Sequence, residues 1–463
     1  MKIKPSLRSI ALLGGLLIPS TLSALEVHEW GTFTILSSSS GLPVDWYQPY
    51  SDIHQLPPFT LHPMLMKQNI MNARVRMETP VIYFYPEKEM TVHARVTFRN
   101  GSITERFPAA SLQPYQTTPA SPMRFAPGQW NIASCSVRPA SSNQVFDQRL
   151  REFTTTQAPT VTYWTGDLLP PHHADASLIP AVSGSAGAHY GAARAVPDAW
   201  LFRSQAHNPQ VATPQLTAST APQPKPQVEK FIFYRGAGQE VPPYYASMRD
   251  DNTVTFSNHS ASASTFQIAL RVRDGRASWK QMPNICGPTP DKDRSATITF
   301  PEETMPVEQA DRELSALFVK ELIANGLTKA EAEAMIATWN HTWFTEPGQR
   351  VFTIVDRTWV DSVLPLAIAP EPKKIERVFV ARYEVLAPKT EQALTRLIES
   401  PASAQRTQEY ASLQLGRFSR GASAIIADRK RDTALHQFND LFYQHLQDEQ
   451  DRAKNPQTSA TEP

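Results

Sequence analysis

Cysteine is nearly absent: the 463 residues contain two, Cys135 and Cys286. A disulfide-dense scaffold is therefore excluded, and one Cys135–Cys286 bridge is the most the chain can form, with two separate thiols as the alternative. Long apolar runs are scarce as well. The most pronounced is Ile10 to Ile18, well short of the roughly 20 residues that cross a bilayer as a helix, which leaves no membrane span once a leader is removed. Neither sign of charge dominates, with 45 Lys and Arg against 44 Asp and Glu, so the basic face of a nucleic-acid binder is missing. Glycine is outnumbered by proline, 18 to 40, which suits many rigid connections between short strands.

The N-terminus carries Lys2, Lys4 and Arg8, then the apolar run, then Ser20, Thr21, Ser23 and Ala24. This is the pattern of a secretory leader over 1–24, and it predicts an exported protein, periplasmic or secreted. Removing it takes three basic and no acidic residues and turns the formal charge from +1 to −2. The mature chain exceeds one typical core, which favours more than one folding region.

Immediately after the leader, Val27 to Thr34 reads as a first strand. Arg76 to Tyr85 and Thr91 to Phe98 follow as strands, the latter alternating Val92, Ala94, Val96 and Phe98 on one face. Asn100-Gly101 then predicts a two-residue hairpin to Ile103–Phe107, because both positions tolerate positive φ. Val161 to Trp164 adds a strand, after which 166–227 reads as irregular, rich in Pro, Ala, Ser, Thr and Gln, with an aromatic island at His189–Arg194 and Trp200–Arg203. Short strands recur over 228–302. The period then becomes helical: Val307, Ala310, Leu314, Phe318 and Leu322 precede an Asn325-Gly326 stop, and Thr328 with Glu331 forms a capping box opening a helix through Trp339 and Trp343, whose spacing marks them as core. Strands at 351–355 and 377–383, helices at 391–400 and 404–413, and a long helical periodicity through Phe418, Ala422, Ile425, Ile426, Leu435, Phe438, Leu441, Phe442 and Leu446 complete the C-terminal part. The expected fold is α+β, with a β-rich N-terminal domain (25–165), a loop or linker region (166–227), a second sandwich-like β region (228–302), an α-rich part with a few strands (303–446) and a disordered tail (447–463).

His28-Glu29-Trp30-Gly31-Thr32-Phe33-Thr34, taken with Arg76–Tyr85, Ile103–Glu105, His189–Arg194, Glu229–Gly238, Thr338–Phe344, Val363–Leu366, Arg377–Glu384 and Gly416–Phe418, resembles a family of uncharacterised exported bacterial proteins marked by that first motif. The resemblance covers most of the mature chain and implies export and architecture without implying an activity. Asp356-Arg357 and Ala381-Arg382 depart from it, standing where the family pattern has Pro-Arg and Gly-Arg.

Familiar catalytic signatures are missing. His28-Glu29 lacks the second histidine of a zincin helix, Ser183–Gly187 lacks the first glycine of a nucleophile elbow, and Gly236-Ala237-Gly238 lacks the third glycine of a dinucleotide site. The dispersed candidates are Glu29, Glu78 and Arg194 for catalysis, and His28 with His189 for a divalent metal such as zinc, whose open position would activate water. Each also has a structural alternative, a core histidine or an ion-pair partner. On a strand His28 and Glu29 point to opposite faces, so one site is not expected to hold both. Two functions follow: a binding or structural protein of the cell envelope, recognising carbohydrate or another envelope component through the aromatic loop of Trp46, Tyr47, Tyr50, His54 and Phe59, or a metal-dependent hydrolase.

Overall fold

A computed structural model describes residues 23–45, 56–60, 73–114, 160–205, 226–287, 294–401, 403–419 and 421–423. The chain opens with β1 (Ser23–Ser37), β2 (Val75–Pro86), β3 (Met90–Phe98), β4 (Gly101–Phe107) and β5 (Ser111–Pro114). It continues through β6 (Thr160–Leu169), α1 (Ser185–Ala192), β7 (Leu201–Ser204), β8 (Val228–Glu229), β9 (Ile232–Gly238), β10 (Tyr244–Met248), β11 (Thr253–Asn258), β12 (Gln267–Arg273), β13 (Arg276–Gln281), β14 (Ser295–Thr299) and β15 (Met305–Pro306). The C-terminal half adds α2 (Val307–Ala324), α3 (Lys329–Asn340), a π turn at His341–Thr345, β16 (Gly348–Ile354), α4 (Arg357–Val363), β17 (Leu366–Ala369), β18 (Pro372–Val385), α5 (Pro388–Glu399) and α6 (Ala404–Ser412). The protein is thus β-rich, with several sheets and with helices concentrated towards the C-terminus.

The strands form a nine-stranded sheet in the order β15-β13-β12-β16-β18-β1-β2-β9-β4, a three-stranded sheet β10-β11-β14, and a six-stranded sheet in which β17-β3-β6-β7-β8 run in order and β5 pairs with β6. The large sheet draws strands from the N-terminal, central and C-terminal segments, so its core is shared across them. At its centre β1 runs parallel to β18 and antiparallel to β2. One face of β1 contributes Leu25, Val27, Phe33 and Ile35 to a core completed by β3, β6, β10 and β11. The other face contributes Trp30 to a core with α2 and α3, where Phe318 lies edge-on to Phe266 and Phe352. A strand covered on both faces loses the apolar-polar alternation of a half-buried one. Each fully buried Leu or Phe side chain contributes about 1.5–3 kcal/mol through removal from water.

Gly31 is required by this packing. A Cβ there would lie 2.6 Å from Cε1 of Phe379 and 3.1 Å from Cα of Pro80. Opposite it the β1–β2 register shifts, and Thr79 takes a positive φ of 48°, a conformation uncommon for a β-branched residue. Gly31→Ala is expected to cost about 1–3 kcal/mol by overpacking; an unchanged urea midpoint would show that the bulge absorbs the methyl.

Two expectations are corrected. β3 and β4 flank Asn100-Gly101 without pairing: β3 lies between β17 and β6, while β4 pairs with β9. The turn is a corner between sheets, and Gly101 serves close packing, since its Cβ would meet the Phe98 ring at 2.6 Å and the Ala237 carbonyl oxygen at 2.7 Å. Nor is the stretch after 166 irregular throughout. β6 runs to Leu169, and α1 and β7 follow, held because Tyr190, Leu201 and Phe202 are buried. The αα-hairpin forms as read, with Gly326 at φ 112° and the Thr328–Glu331 capping box in place. Trp339 and Trp343 stack at 6.3 Å inside the core. The leader up to residue 22, the aromatic loop apart from Phe59, Cys135, residues 206–225 of the linker region, the helical pattern beyond 423 and the tail lie outside the described residues.

Candidate functional site

Strand geometry sends His28 and Glu29 to opposite faces. On the helical side, His28 Nδ1 lies 3.0 and 2.9 Å from the two carboxylate oxygens of Glu331. Glu331 is the third residue of α3. It accepts from the Thr328 backbone N–H at 2.7 Å and from the Tyr85 hydroxyl at 2.5 Å. Burial pushes the Glu331 carboxyl up, but the His28 bond, then Tyr85 and the Thr328 N–H, outweigh it and hold the group below its ordinary value. A carboxylate offers only acceptors, so Nδ1 carries the hydrogen by the logic of the network. His28 Nε2 is then left buried without a partner.

Glu29, fully buried, accepts from the Tyr234 hydroxyl and from Nε of Arg377. Arg377 Nη1 donates to Asp361 at 2.7 Å, and its Nη2 is buried without a partner. Burial would lower this guanidinium, yet Glu29 above all raises it past its ordinary value.

Glu78 belongs to a third cluster. It accepts from Thr34 at 2.9 Å, pairs with Arg76 at 2.9 Å and accepts from Arg417 at 2.7 Å. Arg382 and Arg350 pair with Glu384 at 2.9 and 3.0 Å, and Arg382 also reaches Glu346 at 2.8 Å. These residues form a polar row along one end of the large sheet, since Thr34 is in register with both Arg382 and Arg76, and Arg350 with Glu384. A fourth cluster closes α1 onto β8: Arg194 grips Glu229 at 2.7 Å, and Tyr190 donates to the same carboxylate at 3.0 Å. Here burial dominates and Glu229 is raised.

His189 donates from Nδ1 to the Thr338 carbonyl at 2.7 Å and stacks on Trp339 at 6.0 Å. Glu331 and Thr338 are seven residues apart on α3, about 10 Å along the axis at 1.5 Å per residue. His28 and His189 therefore touch this helix near opposite ends and do not converge, and Glu29, Glu78 and Arg194 stand in three further places. Among the described residues no group of three His, Cys, Asp or Glu side chains could hold a metal ion. Phe59 packs inward, 4.7 Å from Phe107 and 5.4 Å from Tyr190. Cys286 is half-buried, and its proposed partner Cys135 is outside the described residues.

Sequence reasoning missed Glu331 as anything beyond a cap, and it missed Tyr234, Arg377 and the Arg350–Arg382–Glu384 group. A signal was present: charged residues stand inside Val378-Phe379-Val380-Ala381-Arg382-Tyr383-Glu384-Val385, and a charge on a strand buried on both faces must be paired.

Two clefts open beside these clusters. One of about 330 Å³ lies by Tyr85, with Asp198, Thr328, Lys329 and Glu333. The other, about 280 Å³, lies at the end of the large sheet between the 262–266 loop, Asn325, Asp356–Thr358 and Glu376–Val378. No family model and no curated protein matches the chain. Among solved structures, the Mu homology domain of Danio rerio Fcho1, determined with a bound Eps15 peptide, aligns with 79% of this chain and 97% of its own at 8% identity and a TM-score of 0.27. A score that low bears on neither fold nor function.

Proposed function

We propose that this is an exported binding protein of the cell envelope, a member of the family marked by His-Glu-Trp-Gly-Thr-Phe-Thr, that recognises a carbohydrate component without transforming it. The observation that carries this is the fate of the candidate catalytic groups. Glu29, Glu78 and Arg194 are each committed to a different ion pair, and His28 and His189 to different parts of α3. Such groups stiffen a scaffold, and rigid scaffolds with polar clefts suit non-covalent recognition. Export rests on the leader pattern. A sandwich-like arrangement of the β regions is supported by the core that the large sheet shares with the two smaller ones.

The metal-dependent hydrolase is kept as a second reading by one feature. A histidine whose Nδ1 is held by a carboxylate while Nε2 is free has the outer-sphere support typical of metal ligands. Metal analysis of the mature protein and of His28→Ala separates the two. Sub-stoichiometric metal, equal in both, is expected; one equivalent lost with His28 would favour the hydrolase. Titration with soluble fragments of envelope polysaccharides should give a saturable change in tryptophan fluorescence, and a flat response to all of them would overturn the binding role.

A further inference from the structure

We propose that the open face of the six-stranded sheet is the carbohydrate-binding surface, and that its ligand is an extended polysaccharide whose sugars carry carboxylates. This rests on the envelope-binding role above and names the place and the class recognised. Val92, Ala94 and Val96 of β3 and Trp164 and Leu168 of β6 point into the core, so the residues between them stand on the opposite, solvated face. Arg95, His93, Thr91 and Tyr163 are exposed there.

Register sets these groups in cross-strand pairs. Arg95 lies directly across from Tyr163, His93 from Thr165 and Thr91 from Asp167. The pairs follow one another over roughly 13 Å of strand, at about 3.3 Å per residue, so a chain laid along β3 and β6 meets each in turn. On the other side of β3, Ala367 and Ala369 of β17 stand opposite Arg95 and His93. Their methyl groups leave that flank low.

The charge on this face selects the ligand. Its one acid, Asp167, is already satisfied: Thr91, Arg203 and Gln205 donate to it at 2.8, 3.1 and 3.2 Å. Arg95 is not, since among the described residues it meets no carboxylate. Beside it stands Tyr163, 37% exposed and the one aromatic among the exposed large apolar side chains described. A flat ring next to a free guanidinium matches a uronate, whose pyranose lies against the phenol while its carboxylate takes two parallel N–H bonds from the arginine. His93 shares Nδ1 with the Thr165 hydroxyl at 3.0 Å, leaving Nε2 for a sugar hydroxyl. A nucleic acid would call for a run of cations rather than one, and a protein partner for a broader apolar patch.

Calorimetric titration of the mature chain with oligogalacturonate and alginate oligosaccharides, beside neutral dextran and polyglutamate, tests this. Binding of at least one uronate polymer, and of neither control, is expected. Arg95→Thr should weaken it roughly tenfold or more, the scale of a lost hydrogen bond to a charged group, and Tyr163→Thr several-fold. Both substitutions are on the exposed face and introduce a residue that favours strands, so the fold is kept. Added salt should weaken binding by the wild type and change that of Arg95→Thr little. Polysaccharide binding unchanged in both variants would overturn the assignment to this face and leave the envelope-binding role standing. Dextran bound as well as the uronates, and lost in the variants, would overturn the acidic class; polyglutamate bound as well, and lost with Arg95 alone, would overturn the sugar class. No binding of any polysaccharide would remove both the face and the role.

Discussion

Glu29→Leu is expected to destabilise the protein by about 3 kcal/mol or more, in the range for removing one partner of a buried ion pair. Glu29 is fully buried and accepts from both Tyr234 and Arg377. Leucine fills the volume but leaves the guanidinium without its main partner in an apolar core. Arg377 retains Asp361, which places the loss towards the lower end of the range. Arg377→Met should cost a similar amount for the opposite reason. The double variant is the informative one: with both charges gone, no desolvated ion remains, and its loss should be well below the sum of the two single losses. Urea unfolding of the four proteins measures this, and strictly additive losses would show that the pair does not act as a unit.

Acid should weaken the fold chiefly through Glu78. Burial alone would push this carboxyl up, but Arg417, then Arg76 and Arg235, and the Thr34 hydroxyl bring it down to about 2. A carboxyl with a lower pKa folded than unfolded binds its proton more readily in the unfolded chain. Its stabilisation is therefore complete above the ordinary value of 4.5 and is lost as pH falls towards about 2. Glu331 and Glu346 are shifted the same way, while Glu229, raised by burial, acts in the opposite sense. Glu78→Gln should be clearly less stable than wild type at pH 6, and the gap should narrow by roughly 2 kcal/mol at pH 3, from about 1.36 kcal/mol per pKa unit. A constant gap across that range would mean that Glu78 does not set the acid limb.

The local grammar of the chain was readable where neighbours in sequence settle the outcome. The Thr328–Glu331 capping box, the glycine stop at Gly326 and the strands at β1, β2, β3 and β18 needed only propensity and period. The Asn100-Gly101 hairpin failed because a turn signal says that the chain reverses or bends, and says nothing of which strand each arm will pair with. That choice went to β6 and β9, where Phe98 could pack over the glycines of β4 and β9.

The candidate site shows the same division. Alternation along β1 was enough to say that His28 and Glu29 part company, because successive side chains on a strand face opposite ways. Their partners were beyond reach: Glu331 lies 303 residues from His28, and Arg377 lies 348 from Glu29. By itself the sequence determined the local elements, the alternation that parts His28 from Glu29 and the presence of charges that would need company, whereas the burial of the first strand on both faces came from the tertiary packing. Only the tertiary structure decided which charge meets which, because a buried carboxylate is stabilised by whichever cation the sheet order brings to it, and sheet order is set by long-range packing rather than by the residues on either side.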